Sequence, residues 1–264
     1  MLSVFEQIQE RRAARDAQRR DSKKTEELFT RARKVDQKYA VQLRKIASHV
    51  GEIIKAFPAG DPAVLPQLNQ VLNKYADIIT PWAHHVSGRV LQEVARWDER
   101  AWQLHAREMS QEVRHLIDNT DIGVEFRQLQ QEQVDLIRSI PIKAAERVHE
   151  LTEKALSDSS RASSFIEEIM KSGHVARSHA TLIATTEIGR ATTSFTQARA
   201  GQLGSTHYRW RTARDSRVRK EHKALEGKIF AWDSPPITGS KGERSHPGAI
   251  YRCRCWPEVL FDDD

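Results

Sequence analysis

One periodic pattern near the amino end places the strongest constraint on how this chain folds. Between residues 28 and 57, apolar residues recur at every third or fourth position: Leu28, Ala32, Val35, Tyr39, Leu43, Ile46, Val50, Ile53 and Phe57. This spacing puts them on one face of an α-helix, and a stripe of this length packs against another helix. We therefore predict a long helix over about residues 3–57.

The pattern of helices and breaks continues to about residue 204. A break is expected at Pro58–Pro62, a kink at Pro81 and a bend at Pro141, because proline removes a backbone donor. The next stripe is expected to hold Leu65, Leu68, Val71, Leu72, Tyr75, Ile78 and Ile79, followed by Trp82, Val86, Val90, Val94 and Trp97. A further helix is expected over about residues 124–156. The fold class predicted is mainly α, with long helices in a bundle.

Two shorter helices are expected before residue 204. Ser164 and Glu167 have the spacing of a capping box, in which each side chain satisfies a free amide at a helix start. Gly173 is then expected to end this helix. The next is expected to run over about residues 178–200 and to end at Gly201.

A small α+β module follows. The residues 206–212, 228–232 and 249–256 have the composition of strands, and Asp215 is placed to cap a short helix that carries His222. We therefore predict three parts: a basic long helix or arm over 1–57, a helical bundle over 58–204, and a carboxy-terminal module over 205–264.

Positive charge is concentrated at both ends. Residues 1–45 hold 13 Lys and Arg against 7 Asp and Glu, and residues 207–254 hold 12 against 5. Basic segments of this kind favour a polyanion such as DNA, and the candidate nucleic-acid contacts are Arg11, Arg12, Arg15, Arg19 and Arg20. A solvated, salt-bridged helix surface is the alternative for this arm.

Four residues of the module could bind a metal ion. In a strand, Cys253 and Cys255 would project to the same side, with His222 on the inner face of the short helix and His246 in the preceding loop. Two thiolates and two imidazoles suit tetrahedral zinc. The spacing lacks the regularity of established zinc signatures, so a packing role for these residues is the alternative.

No sequence pattern of a known enzyme class is present. The chain has no phosphate-binding Gly-rich loop, no Gly-x-Ser-x-Gly and no His-Glu-x-x-His, so we expect no catalytic residues and no small-molecule substrate. A metal-dependent nuclease using His222, Glu226 and His246 is the weakest alternative. Trp210, Trp232 and Trp256 are expected to share an aromatic core, and an exposed base-stacking surface is the alternative.

The chain has neither the apolar run that a membrane span needs nor the apolar core of a signal peptide, and it has only two cysteines. We therefore expect synthesis in a reducing cytosol and no contact with a membrane.

The module also resembles a known family. The ordered elements Trp210-Arg-Thr, Asp215-Ser-Arg-Val-Arg, His222, Leu225-Glu-Gly, His246-Pro and Cys253-Arg-Cys, preceded by Ala184-Thr-Thr-Glu, resemble the carboxy-terminal domain of Mu F-like head-morphogenesis proteins. The resemblance covers about residues 184–256. It implies a structural minor capsid protein of a tailed phage, with the portal, the capsid interior and DNA as partners. It also implies location in the host cytoplasm during assembly and then in the virion head. A cytosolic DNA-binding protein without a head role is the alternative.

Overall fold

The computed structural model describes residues 34–106, 121–158 and 161–260. Helices account for 69 % of them, and a small antiparallel sheet lies near the carboxy end, which confirms the predicted fold class. The long helices are α1 (residues 34–55), α2 (Leu65–Ile78), α3 (Thr80–Ala106), α4 (Gly123–Ser157), α5 (Ala162–Met170) and α6 (Ser172–Gln202). A 3-10 turn, Pro62–Val64, precedes α2.

The chain forms two compact units, each from segments that are distant in sequence. A helical unit comprises Val35–Glu93 and Gly123–Ala191, and a second unit comprises the described parts of Val94–Ile122 and Thr192–Asp264. The contiguous division predicted from sequence, with boundaries after residues 57 and 204, remains a prediction.

In the helical unit, the apolar stripe of α1 is buried largely as predicted. Val35, Tyr39, Leu43, Ile46 and Val50 are all buried. At the end of the stripe the prediction is wrong by one position, because Ile54 is buried where Ile53 was expected. An α-helix has 3.6 residues per turn, so the inward face drifts along a heptad-like stripe. Leu28 and Ala32 lie outside the described residues.

The stripe predicted for α2 is narrower in the structure. Val71 and Ile78 are exposed, at 37 % and 64 %, whereas Ala76 is buried. The residues on the inward face are Leu65, Leu68, Leu72, Ala76 and Ile79, at spacings of three and four. In α3 the face is shifted by one residue, since Ala83, Ser87 and Leu91 are buried and Val86 and Val90 are half-buried. A prediction based only on the size and hydrophobicity of the side chains therefore misplaced the buried faces of α2 and α3.

The helix ends around residue 170 also differ from prediction. Helix α5 begins at Ala162 with no side-chain cap, so Ser164 lies inside the helix and the predicted capping box is wrong. It ends at Met170, and Gly173 belongs to α6. Within α6, Gly173 faces Gly51 of α1 so closely that a Cβ at residue 173 would lie 2.9 Å from the Gly51 Cα. Gly173 is therefore present for close helix packing.

The far end of α6 lies beyond the predicted stop at Gly201. The helix continues to Gln202, and Gly204 adopts the left-handed conformation with φ of 82°. Glycine adopts this conformation without the steric cost that a Cβ imposes, which makes it the usual residue after a helix end.

The second unit contains a sheet in the order β2-β1-β3, with both pairings antiparallel. Strand β1 is His207–Arg211, β2 is Ile229–Ala231 and β3 is Trp256–Leu260, and a short helix α7 spans Lys220–Lys223. In β1, Tyr208 and Trp210 are buried, while Arg209 and Arg211 lie on the opposite face and both bond to Glu258 of β3. This alternation is the period of two expected of a strand.

The strand predicted at residues 249–256 is wrong. These residues form bends and a turn up to Arg252 and irregular backbone over 253–255, and β3 starts at Trp256. Gly248 and Arg252 have positive φ values of 88° and 49°, which are incompatible with a continuous strand. A backbone hydrogen bond of 2.9 Å from the Cys253 amide to the Ile250 carbonyl closes one of these turns.

Candidate metal centre

The candidate metal centre lies in the hydrophobic core of the second unit. Its buried members are Trp102, Ala200, Tyr208, Trp210, Val218, Trp232, Cys253 and Cys255. Trp210 and Trp232 therefore share a core as predicted, and Trp256 is also buried. Because all three rings are buried, they do not form an exposed stacking surface.

The segment before α7 is held in place by Asp215. Its carboxylate forms a two-point ion pair with the Arg254 guanidinium and accepts a hydrogen bond of 3.0 Å from the Arg217 amide. Asp215 does not cap α7, whose N-cap is Arg219, so that prediction is wrong. The Arg254 hydrogen bonds lower the pKa of Asp215 to about 2. The ion pair joins this segment to the Cys253–Cys255 loop.

His222 points from α7 into the core. It is only 2 % exposed, and its ring meets the Trp210 indole edge-on at a centroid distance of 5.5 Å. Its Nδ1 atom lies 3.5 Å from the Cys253 sulfur and 3.6 Å from the Cys255 sulfur. Both sulfurs therefore face one ring nitrogen of His222, and a loop brings them there in place of the predicted strand.

Three ligand atoms converge at this point. His222 Nδ1 and the two sulfurs all lie within 4.8 Å of one another, and all three residues are buried. Both cysteines are free thiols. In the described part of the chain, this is the one group of three or more His, Cys, Asp and Glu residues with metal-ligand proximity.

The two thiols differ in their tendency to ionise. The pKa of Cys253 is lowered because its sulfur is hydrogen-bonded by the Cys255 thiol, the His222 ring and the Gly248 amide, although burial opposes this. The pKa of Cys255 is raised, first by the Cys253 sulfur beside it and then by burial. One of the two thiols therefore ionises readily, and the other resists ionisation unless a cation compensates the second negative charge.

His246, the fourth predicted ligand, lies elsewhere in the module. Its Nδ1 atom is 3.2 Å from the Tyr208 hydroxyl, and its ring contacts those of Tyr208 and Trp232 at 5.5 and 5.6 Å. Burial lowers the pKa of His246. The structure thus brings together three of the four predicted ligands.

Glu226, assigned to the nuclease alternative, is bound internally. Its carboxylate accepts hydrogen bonds of 2.6 Å from the Thr212 amide and 3.0 Å from the Arg214 guanidinium. It does not join His222 and His246 in a group of ligand atoms. The candidate nucleic-acid residues Arg11, Arg12, Arg15, Arg19 and Arg20 lie outside the described residues.

Two contributors to the site were not predicted. The Gly248 amide donates to the Cys253 sulfur over 3.4 Å, and the Arg254 side chain holds the loop through Asp215. The His-Pro-Gly order of residues 246–248 was the available signal for a turn there.

One known family is similar to part of this chain, over less than half of its length. The family described as Phage Mu protein F like protein matches residues 146–257. The match confirms the resemblance seen in the sequence and extends it upstream from residue 184 to residue 146, in the last third of α4. The family is one of phage head-morphogenesis proteins. No curated protein and no solved structure matches the chain. Within the described residues, no helix is long and apolar enough to cross a membrane.

Proposed function

We propose that this chain, whose residues 146–257 match the Phage Mu protein F like family, is a structural, non-enzymatic minor protein of a tailed-phage head. It assembles in the host cytoplasm with the portal and the inner capsid surface, and it contacts the packaged DNA. The observation that carries the proposal is the family match, which includes α5, α6 and nearly all of the module. The portal and capsid partners follow from the family assignment.

The internal bonding of the module supports a structural role. The side chains best suited to acid–base chemistry are engaged in holding the fold together. Glu226 bonds to the Thr212 amide, Asp215 pairs with Arg254, and His246 meets the Tyr208 hydroxyl. Such groups position loops and strands, which suits a rigid building block of an assembly.

A basic surface of the module supports contact with DNA. The exposed cationic side chains of two segments, 217–223 and 252, define this surface: Arg217, Arg219, Lys220, Lys223 and Arg252. The Arg219 guanidinium donates to the Tyr251 carbonyl over 2.6 Å, which brings the two segments together. Tyr251 itself is 64 % exposed and adds an aromatic ring beside the charges. Phosphates and unpaired bases are ligands for such a combination.

The acidic residues near the basic surface neutralise part of it. Asp215 pairs with Arg254 and also contacts the Arg217 guanidinium at 3.5 Å, Glu226 pairs with Arg214, and Glu221 lies exposed on α7. The five cations of the surface therefore still outnumber these acids. A net positive surface releases counterions from DNA when it binds, and the affinity then falls steeply with salt.

A salt series tests the DNA contact. Lys220→Gln, Lys223→Gln and Arg252→Gln together remove three charges from the basic surface. If all three cations meet phosphates, the slope of log K against log salt becomes shallower by about 2 to 3. The matched control removes three exposed lysines from α1 and α2, with Lys45→Gln, Lys55→Gln and Lys74→Gln, and leaves the slope unchanged. Equal slopes for both triple variants would refute the assignment of this surface.

Particle fractionation tests the head role. The chain is expected in procapsids and virions, at a low copy number relative to the major capsid protein, and in complexes with the portal. Its absence from both kinds of particle would refute the proposal. Salt-dependent DNA binding together with that absence would favour the alternative, a cytosolic DNA-binding protein. DNA cleavage that requires added metal would favour the nuclease alternative.

A further inference from the structure

Two of the three spacings among the buried ligand atoms match the edges of a zinc tetrahedron, and the third, between the two sulfurs, is within 4.8 Å. Bonds of about 2.3 Å to sulfur and about 2.0 to 2.1 Å to nitrogen, at tetrahedral angles, put the sulfur and nitrogen about 3.5 to 3.6 Å apart. The two sulfur–nitrogen distances at His222 are 3.5 and 3.6 Å. These spacings are compatible with one ion bound by all three atoms.

Hydrogen bonds alone do not satisfy both nitrogens of the His222 ring and both sulfurs. Nδ1 of an imidazole offers either one lone pair or one hydrogen, so it serves only one of two equidistant sulfurs well. The other ring nitrogen, His222 Nε2, is buried with no hydrogen-bond partner in the described residues. An unsatisfied buried polar group destabilises the folded chain. A metal–ligand bond at Nδ1 is strong enough to offset that cost.

The three ligands are also held before any ion arrives. Helix α7 positions His222, and the turn closed by the Cys253 amide and the Ile250 carbonyl positions the cysteines. The Arg254–Asp215 pair locks these two segments together. The Gly248 amide points at the Cys253 sulfur, as donors around metal-bound thiolates do.

We propose that His222 Nδ1, Cys253 Sγ and Cys255 Sγ bind one zinc ion that fastens α7 to the loop before β3. Two thiolates balance the charge of the ion, and soft sulfur ligands favour zinc over magnesium or calcium. No fourth His, Cys, Asp or Glu atom of the described residues joins the group, so the fourth position is left for water or another exogenous ligand. His246 is excluded from this ligand set. The inference does not depend on the role of the chain in a phage head.

Metal content of the full chain, purified without chelators, tests the proposal. We expect about one zinc per chain in the wild type and in His246→Ala, and a loss of most of it in His222→Ala, Cys253→Ser and Cys255→Ser. Replacement by Co²⁺ is expected to give sulfur-to-cobalt charge-transfer absorption that weakens when either cysteine is changed. Equal zinc loss in His246→Ala and His222→Ala would refute the three-residue ligand set.

The wild-type chain alone provides a second test, in case the ligand variants do not fold. Zinc added to chelator-treated protein is expected to raise its melting temperature, because it binds the folded form. Magnesium at the same concentration is expected to have no such effect. Two free thiols in the unfolded protein, together with a zinc content near zero after exposure to zinc, would overturn the proposal and leave the cysteines as packing residues.

Discussion

Replacing Gly173 by alanine tests the closest backbone contact of the helical unit. The added Cβ would lie 2.9 Å from the Gly51 Cα, whereas ordinary van der Waals contacts begin at 3.4 Å. The obstructing atom belongs to the backbone of α1, so no flexible side chain can move aside. The two helices must instead separate by about half an ångström, and overpacking of this kind costs about 1–3 kcal/mol.

The higher helix propensity of alanine offsets part of this cost. Alanine gains up to about 1 kcal/mol over glycine inside a helix, and less near an end. Gly173 is the second residue of α6, so the gain there is small. We expect Gly173→Ala to lower the free energy of unfolding by about 1–2 kcal/mol, from the difference of these two effects.

Two matched variants separate packing from propensity. Gly201 is the second-to-last residue of α6, and a Cβ there would meet nothing within 4 Å, so Gly201→Ala is expected to be neutral or slightly stabilising. A Cβ at Gly51 would lie 3.2 Å from the Gly173 Cα, a milder clash in the middle of α1, so Gly51→Ala is expected to fall between the other two. Urea denaturation monitored by circular dichroism measures the free energy of unfolding of all three variants. Equal effects of Gly173→Ala and Gly201→Ala would refute the packing argument.

Three further perturbations test other parts of the chain. Asp98→Ala leaves the buried Arg199 guanidinium without the carboxylate that it contacts at 2.7 Å, so we expect a loss of about 3–5 kcal/mol by urea denaturation. Asp215 has a folded pKa of about 2 against an ordinary 3.8. Its stabilising contribution is therefore present above about pH 4 and is lost as the pH falls toward 2. The Asp215→Asn variant should not show this loss when its stability is measured along an acid titration. Gly204→Ala puts a Cβ at φ of 82° with no atom within 4 Å, so only backbone strain acts. This strain should lower the free energy of unfolding by about 1 kcal/mol, as measured by thermal unfolding.

The site was predicted in part. Residue type and order identified His222, Cys253 and Cys255, together with His246, because few side chains bind soft metals and these four lie within one short module. The argument for their convergence was wrong, since it required a strand at residues 249–256. Positive φ values at Gly248 and Arg252 turn the chain there, and Cys253 and Cys255 reach the same nitrogen from a loop.

Local pattern in the sequence determined most of the helices and the strands β1 and β2, but not β3. The stripe of α1, the span of α4 and the strands β1 and β2 follow from side-chain periodicity, which depends on near neighbours. Tertiary structure decided what periodicity cannot specify. It placed Gly173 against Gly51, a residue more than a hundred positions away, and set His246 beside Tyr208 instead of the cysteines. These outcomes depend on which distant backbones approach each other, and packing of the whole chain settles that.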